Sequence, residues 1–112
     1  MKLYQKKCVP CEGGVFPLRG KILQQYMKQV SSWQRKGSKI LREYKFKNDS
    51  AALNFLNKIG KLSVKEGHHP VATWVYNSVT IEFWTHAIGG LSKNDFIMAS
   101  KYDRIYEKMN KK

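Results

Sequence analysis

Acidic residues are scarce in this chain of 112 residues, where eight aspartates and glutamates stand against 21 lysines and arginines. The resulting formal net charge of +13 would attract nucleic acid, an anionic membrane or an acidic partner. The lysines are spread along the whole chain, however, and no run of five or six like charges occurs. We therefore interpret the charge as a lysine-rich solvated surface and do not expect nucleic-acid binding.

Long hydrophobic runs are also missing. No apolar stretch approaches the roughly 20 residues that a membrane span requires, so no membrane contact is expected. The opening segment MKLYQKKCVPCEGG is basic and has no apolar core of the kind that a secretory signal needs. The sequence therefore predicts a cytoplasmic protein, and it leaves the nucleus or an organelle open.

Only two cysteines are present, Cys8 and Cys11, and they form a single CxxC pair. A structural zinc site usually has four ligands, which would require two distant histidines as well. A redox CxxC is expected after a strand and at the start of a helix, whereas this pair lies in a segment containing proline and glycine. Both functions remain open for this pair, and neither is favoured.

The composition, 42% hydrophobic with 12% aromatic residues, is that of a folded globular protein. At this length one domain is expected, and its large relative surface makes oligomerisation a plausible source of stability. We predict an irregular N-terminal arm at residues 1–17 and a single domain at residues 18–112.

The pattern of apolar residues predicts a helix, a pair of strands and a second helix in the first half of the domain. The first helix is expected over residues 18–30, and a strand with alternating faces over residues 40–46. A shorter strand at Trp33–Gln34 is expected to join it through a turn at Lys36–Gly37. Asn48, Asp49 and Ser50 are candidate N-caps of the second helix, and Gly67 is its expected end.

The second half of the domain predicts a hairpin followed by a helix. Two strand-like runs, residues 70–76 and 78–86, flank a turn expected at Asn77–Ser78, so Trp74 should face Ile81. The same register places His69 opposite His86 on the other face of the hairpin. Ser92 and Asp95 have the spacing of a capping box, which predicts a third helix. The order of elements predicts an α+β domain whose antiparallel sheet is covered by helices on one face.

The three histidines of the chain, His68, His69 and His86, are the strongest candidates for catalysis. An unperturbed imidazole titrates near neutral pH (about 6.5), so a cluster of histidines suits paired acid and base catalysis. A three-histidine metal site is the competing functional interpretation. Adjacent residues of a strand point to opposite faces, so His68 and His69 would not easily bind one ion, and no metal is expected. Ordinary polar residues at strand ends are the non-functional alternative.

Several motifs together resemble the signature of the pterin-4a-carbinolamine dehydratases. They are EGHHP at residues 66–70, YN at 76–77, WTH at 84–86, GGLS at 89–92 and ND at 94–95. The alternating Ile40-x-Arg42-x-Tyr44-x-Phe46 resembles a strand of that family, and CVPCEGG resembles the N-terminal arm of its plant and microbial members. The resemblance covers nearly the whole chain.

The resemblance implies a four-stranded antiparallel sheet with three helices on one face, assembled as a homodimer or homotetramer. It implies dehydration of a 4a-hydroxytetrahydropterin to quinonoid dihydropterin in tetrahydrobiopterin recycling, with no metal or organic cofactor. The histidines of that family's site match His68, His69 and His86, and its aspartate matches Asp95. Substrate-binding or supporting roles are predicted for Glu66, Pro70, Trp84, Thr85 and Asp95.

The resemblance also supplies an alternative function and shows one departure. Animal members of the family act as dimerisation cofactors of a transcription factor, so a non-catalytic binding or assembly protein, or one associated with nucleic acid, is the alternative. The family usually has a polar residue four positions before the first histidine, where this chain has Val64. Glu66 lies closer to the histidines, but on a helix it would point in another direction.

Overall fold

The computed structural model describes residues 1–9 and 16–110. Within them the chain forms three α-helices, four β-strands and two short 3-10 turns. The helices are α1 (Gly20–Gln29), α2 (Asp49–Glu66) and α3 (Lys93–Met109). The strands are β1 (Gln34–Lys36), β2 (Lys39–Lys45), β3 (Val71–Val75) and β4 (Ser78–Phe83), and the 3-10 turns are Leu3–Gln5 and His86–Ile88.

The four strands form one antiparallel sheet in the order β1-β2-β4-β3. The side chains of one sheet face pack with the helices into a single core. That core includes Ile40, Tyr44, Ile81, Phe83, Phe55, Phe96 and Tyr102, all fully buried. The predicted fold class, an α+β domain with a four-stranded antiparallel sheet and three helices, is confirmed. No helix in the described part of the chain is both long and apolar enough to span a membrane.

Local sequence signals place the ends of α2 and α3. The side chain of Asn48 accepts a hydrogen bond from the backbone N–H of Ala51 and caps the start of α2. Gly67 ends that helix in a left-handed conformation with φ of 68°, which glycine adopts without steric cost. Ser92 and Asp95 form the predicted capping box of α3.

The predicted register of the second hairpin is wrong by two residues. The turn is Tyr76–Asn77 instead of Asn77–Ser78, so Val75 pairs with Ser78 and Trp74 faces Val79. A neighbouring strand explains the shift, since Phe46 donates its backbone N–H to the carbonyl oxygen of Asn77, and the Asn77 amide donates to Phe46. A shift by two keeps each residue on its predicted face, because side chains alternate along a strand.

The turn of the first hairpin also differs from its prediction by one residue. Lys36 pairs with Lys39, so the turn is Gly37–Ser38 rather than Lys36–Gly37. Gly37 has a φ of 58° and supplies the left-handed conformation of this turn.

Of the predicted arm, residues 1–9 and 16–17 are described, and the segment 1–9 packs on α3. Leu3 lies in the 3-10 turn Leu3–Gln5 and is buried in the core. Lys101 of α3 donates a hydrogen bond to the carbonyl oxygen of Tyr4, and the Arg104 guanidinium lies 4.4 Å from the centroid of the Tyr4 ring. Cys11, the second cysteine of the CxxC pair, lies outside the described residues.

Candidate active site

His68 follows the end of α2, and its side chain is largely buried. After the left-handed turn at Gly67, the backbone N–H of His68 donates to the carbonyl oxygen of Ser63, which fixes the direction of the chain. The imidazole then stacks on Phe83 of β4, with ring centroids 5.7 Å apart and planes at 19°. Its side chain is 11% exposed, so only a small part of it is accessible to solvent.

Asp95 anchors the His68 ring from the start of α3. Its Oδ1 lies 2.6 Å from His68 Nε2, and its side chain is fully buried. The second oxygen, Oδ2, accepts hydrogen bonds from the backbone N–H of Ser92 and the hydroxyl of Thr85, each at 2.9 Å. Against an ionised carboxylate, which accepts and does not donate, Nε2 would be the donor, and Nδ1 is the ring nitrogen not engaged by Asp95.

His86 lies near His68, but it does so from the turn after β4 and not from a strand. Both His69 and His86 lie outside the strands, so they are not cross-strand neighbours, and that prediction is wrong. β4 ends at Phe83, and His86 lies in the 3-10 turn that follows. The His86 ring contacts Trp84, with centroids 4.5 Å apart, and the ammonium group of Lys39 lies 4.3 Å from the centroid of the Trp84 ring.

The loop that carries His86 is pinned by short-range contacts. Thr85 and Gly90 exchange two backbone hydrogen bonds, and Gly89 adopts a left-handed conformation with φ of 64°. A Cβ atom on Gly90 would lie 2.7 Å from the Cβ of Pro17, so glycine is needed for this close approach. The Gly-Gly sequence therefore closes the loop against the segment leading to α1.

The histidines meet around one cavity of about 300 Å³, at the lower end of the range for small-molecule sites. Its lining is His68, His69, Pro70, Trp84, Thr85 and His86, together with Gly67 and Val71. Six of the eight predicted site residues thus line the cavity. Trp84 is half-buried and offers an aromatic surface, whereas His69 and His86 are exposed.

The two remaining predicted residues, Asp95 and Glu66, lie behind the cavity. Asp95 both caps α3 and holds His68; the capping-box spacing predicts the first contact, and the family resemblance predicts a supporting role at the site. Glu66 accepts a hydrogen bond from the backbone N–H of Cys8 in the arm. Val64, the departure from the family pattern, is 74% exposed and does not line the cavity.

Phe83 and Lys39 are site residues that sequence reasoning missed. Phe83 is a fully buried residue at the end of β4, and only its stacking with His68 reveals a role at the site. Lys39 begins β2, far from the histidine motifs in sequence, and no local signal links it to Trp84. Among the described residues, no cluster of three or more potential ligands is arranged to hold a metal ion.

Comparison with known proteins assigns the family. The sequence model of the family described as pterin 4 alpha carbinolamine dehydratase matches residues 17–105. The chain belongs to the pterin-4a-carbinolamine dehydratase family. This family consists of hydro-lyases, and the matched region contains all three histidines and Asp95.

Bacterial relatives of this dehydratase family match along nearly their whole length. A Nitrosospira multiformis protein is 43% identical and a Chlorobaculum tepidum protein 40% identical, and both carry pterin-4-alpha-carbinolamine dehydratase as a provisional name. The alignments cover 94% and 93% of this chain and 93% and 97% of the relatives. A crystal structure from Brucella melitensis, described as a transcriptional coactivator/pterin dehydratase, has a TM-score of 0.77 and 28% identity. That alignment covers 80% of this chain and 98% of the Brucella chain.

Proposed function

We propose that this chain dehydrates a 4a-hydroxytetrahydropterin to quinonoid dihydropterin and water, in tetrahydrobiopterin recycling, by histidine acid–base catalysis. The observation that carries the proposal is the buried Asp95–His68 pair beside a cavity that His86 also lines. Family membership supports the substrate class. The pterin is the substrate, and the proposed reaction uses no metal or organic cofactor.

His68 is proposed as the base of this reaction. The dehydration removes one proton from the ring N5 and delivers one to the leaving 4a-hydroxyl group, so that the C4a–O bond breaks as a C=N bond forms. The hydrogen bond from Nε2 to Asp95 fixes the tautomer and leaves Nδ1 to accept the N5 proton. The buried carboxylate then stabilises the imidazolium, as carboxylates do in other histidine dyads.

His86 is proposed as the acid that protonates the leaving hydroxyl group. It lines the cavity with His68 but lies on a separate loop, so the two imidazoles can address different atoms of one substrate. Trp84 packs against His86 and offers a flat surface to the pterin ring, and exposed His69 is proposed to orient the substrate.

The His86→Ala variant tests this assignment. We expect kcat for dehydration of the 4a-carbinolamine to fall by about 10²- to 10⁴-fold, because a positioned acid contributes that much. Asn57→Ala, a change at an exposed position of α2, is the control and should retain wild-type kcat. Undiminished activity of His86→Ala would exclude His86 as the acid.

A homodimer or homotetramer remains part of the proposal, and the edge strand β3 supports it. Every residue of β3 is exposed, including Val71, Trp74 and Val75, and the adjoining Tyr76 is 65% exposed. An apolar edge strand left open to water favours pairing with another chain. A second copy of the 13.0 kDa chain is the proposed partner.

Light scattering after size-exclusion chromatography measures the mass of the assembly in solution directly. We expect a mass of at least twice 13.0 kDa for the wild type. Val75→Lys should shift the mass towards the monomer, whereas Ile22→Lys, at a comparably exposed apolar position of α1, should leave it unchanged. A monomeric wild type would refute the assembly.

A binding role is the second candidate function. The Brucella structure is described as a transcriptional coactivator as well as a pterin dehydratase, and in this chain α2 exposes Leu53 and Val64. Such apolar side chains could contact a partner protein. Loss of partner binding on changing Leu53 and Val64, with turnover intact, would separate this role from catalysis. The cytoplasmic location and the absence of nucleic-acid binding stay predictions.

A further inference from the structure

Cys8 and Val9, which end the described segment 1–9 of the N-terminal arm, are held by side chains from both helices that build the histidine site. Glu66, the final residue of α2, accepts the backbone N–H of Cys8 at 2.9 Å. Asn94, in the first turn of α3, pairs with the backbone of Val9 in both directions. Its Oδ1 accepts the Val9 N–H at 3.0 Å, and its amide donates to the Val9 carbonyl oxygen.

Each of these two anchors closely precedes one member of the His68–Asp95 pair in sequence. Glu66 stands two residues before His68, and Asn94 immediately precedes Asp95. The arm therefore bridges the end of α2 and the start of α3, the two points whose separation sets the distance between His68 Nε2 and Asp95 Oδ1. None of Cys8, Val9, Glu66 and Asn94 lines the cavity.

The preceding residues of the arm, 1–7, are docked on α3 and the core, so this segment can serve as a fixed support. Leu3 is 4% exposed within the core, and Lys101 and Arg104 of α3 hold the backbone and ring of Tyr4. Asn94 is 4% exposed, so its side of the pairing is buried, whereas Val9 is 62% exposed. The docked residues 1–9 lie before residue 17, where the family match begins.

We propose that the arm is a clasp that keeps Asp95 in hydrogen-bonding contact with His68, and that Glu66 and Asn94 are positioning residues of the dehydratase site. The catalytic part of this inference rests on the proposed function. Because the clasp acts on the His68–Asp95 pair and not on the cavity lining, its loss should lower kcat and leave KM nearly unchanged. Supporting residues of this kind typically contribute about 10- to 100-fold.

Two matched pairs of variants test the clasp. Val9→Pro removes the N–H that Asn94 accepts, whereas Val9→Ala keeps it. Glu66→Ala removes the acceptor of the Cys8 N–H, whereas Glu66→Gln retains an acceptor oxygen. We expect Val9→Pro and Glu66→Ala to lower kcat about tenfold or more. Val9→Ala and Glu66→Gln should stay within about twofold of the wild type, and the double variant Val9→Pro/Glu66→Ala should be less than additive.

Proton NMR detects the hydrogen bond between His68 and Asp95 independently of activity. The ring N–H of His68 that donates to Asp95 should give a resolved, slowly exchanging signal in the wild type, Val9→Ala and Glu66→Gln. In Val9→Pro and Glu66→Ala the signal should broaden through exchange with water. Melting temperatures are recorded to confirm that each variant is folded at the assay temperature.

The outcomes separate this inference from the proposed function. A signal that persists in folded Val9→Pro and Glu66→Ala, with kcat unchanged, would overturn the clasp. If both variants lose stability while the signal and kcat are kept, the arm is structural only, and the inference is also wrong. A wild type without dehydratase turnover whose His68 signal still depends on the arm would refute the proposed reaction and leave the clasp standing.

Discussion

Replacing His68 with alanine should lower kcat for dehydration of the 4a-carbinolamine by about 10²- to 10⁴-fold, the contribution of a positioned base. The effect should come with little loss of substrate binding, because Trp84, His69 and His86 still line the cavity. Stopped-flow absorbance of the quinonoid product measures the rate, and circular dichroism verifies the fold.

Asp95→Asn is the companion to His68→Ala. An amide at this position can still contact the ring but cannot stabilise an imidazolium as a carboxylate does, so kcat should again fall strongly. If His68 and Asp95 act as a unit, the double variant should be about as slow as His68→Ala alone. Turnover of His68→Ala within twofold of the wild type would exclude His68 as the base.

Replacing Asp103 with alanine should destabilise the fold by about 3 kcal/mol, the lower end of the cost of breaking a buried ion pair, because the side chains of Arg42 and Asp103 are only 20% and 18% exposed. Asp103 accepts hydrogen bonds from the Tyr44 hydroxyl at 2.6 Å, the Arg42 guanidinium at 2.7 Å and the Trp33 indole N–H at 3.1 Å. Burial raises the pKa of Asp103, while its donors act in the opposite direction. Burial and the neighbouring Asp103 charge raise the pKa of Tyr44, so its hydroxyl stays protonated and able to donate. The Asp103→Ala substitution therefore leaves three hydrogen-bond donors, one of them charged, without their acceptor.

Thermal unfolding measures this cost. For a domain of this size, about 3 kcal/mol corresponds to a drop in Tm of roughly 10 °C or more. Glu107→Ala, at an exposed carboxylate one turn further along α3, should change Tm by less than about 2 °C. An equally small change for Asp103→Ala would show that the network contributes nothing to stability.

The sequence predicts features of this fold that are governed by neighbouring residues in the chain. The Asn48 cap, the left-handed end at Gly67 and the Ser92–Asp95 capping box each involve residues within a few positions of one another. Helix ends of this kind are satisfied locally, so their signals survive without knowledge of the tertiary structure.

Features that depend on distant residues could not be predicted in the same way. The hairpin register is wrong because Phe46, more than 30 positions away in sequence, pairs with Asn77 and fixes the turn. The capping role of Asp95 follows from local spacing, but its bond to His68 crosses 27 positions. The docking of the arm links Cys8 to Glu66 across 58 positions, and nothing in the local pattern indicates it.

The histidine site combines features that local sequence predicts with features that depend on distant residues. The predicted meeting of His69 and His86 across strands is wrong, yet both line one cavity with His68 because the end of α2 and the loop after β4 converge. The family motifs identify the three histidines, whereas the anchoring of His68 by Asp95 and Phe83 is visible only in the structure.

The most direct test of the proposed function is the dehydration rate of a 4a-hydroxytetrahydropterin with and without the purified wild-type protein. The carbinolamine is generated in the assay and its conversion to quinonoid dihydropterin is followed in real time. We expect saturable acceleration proportional to protein concentration and abolished in His68→Ala/His86→Ala. A folded wild-type protein that leaves the spontaneous rate unchanged would contradict the assignment of this site as a dehydratase.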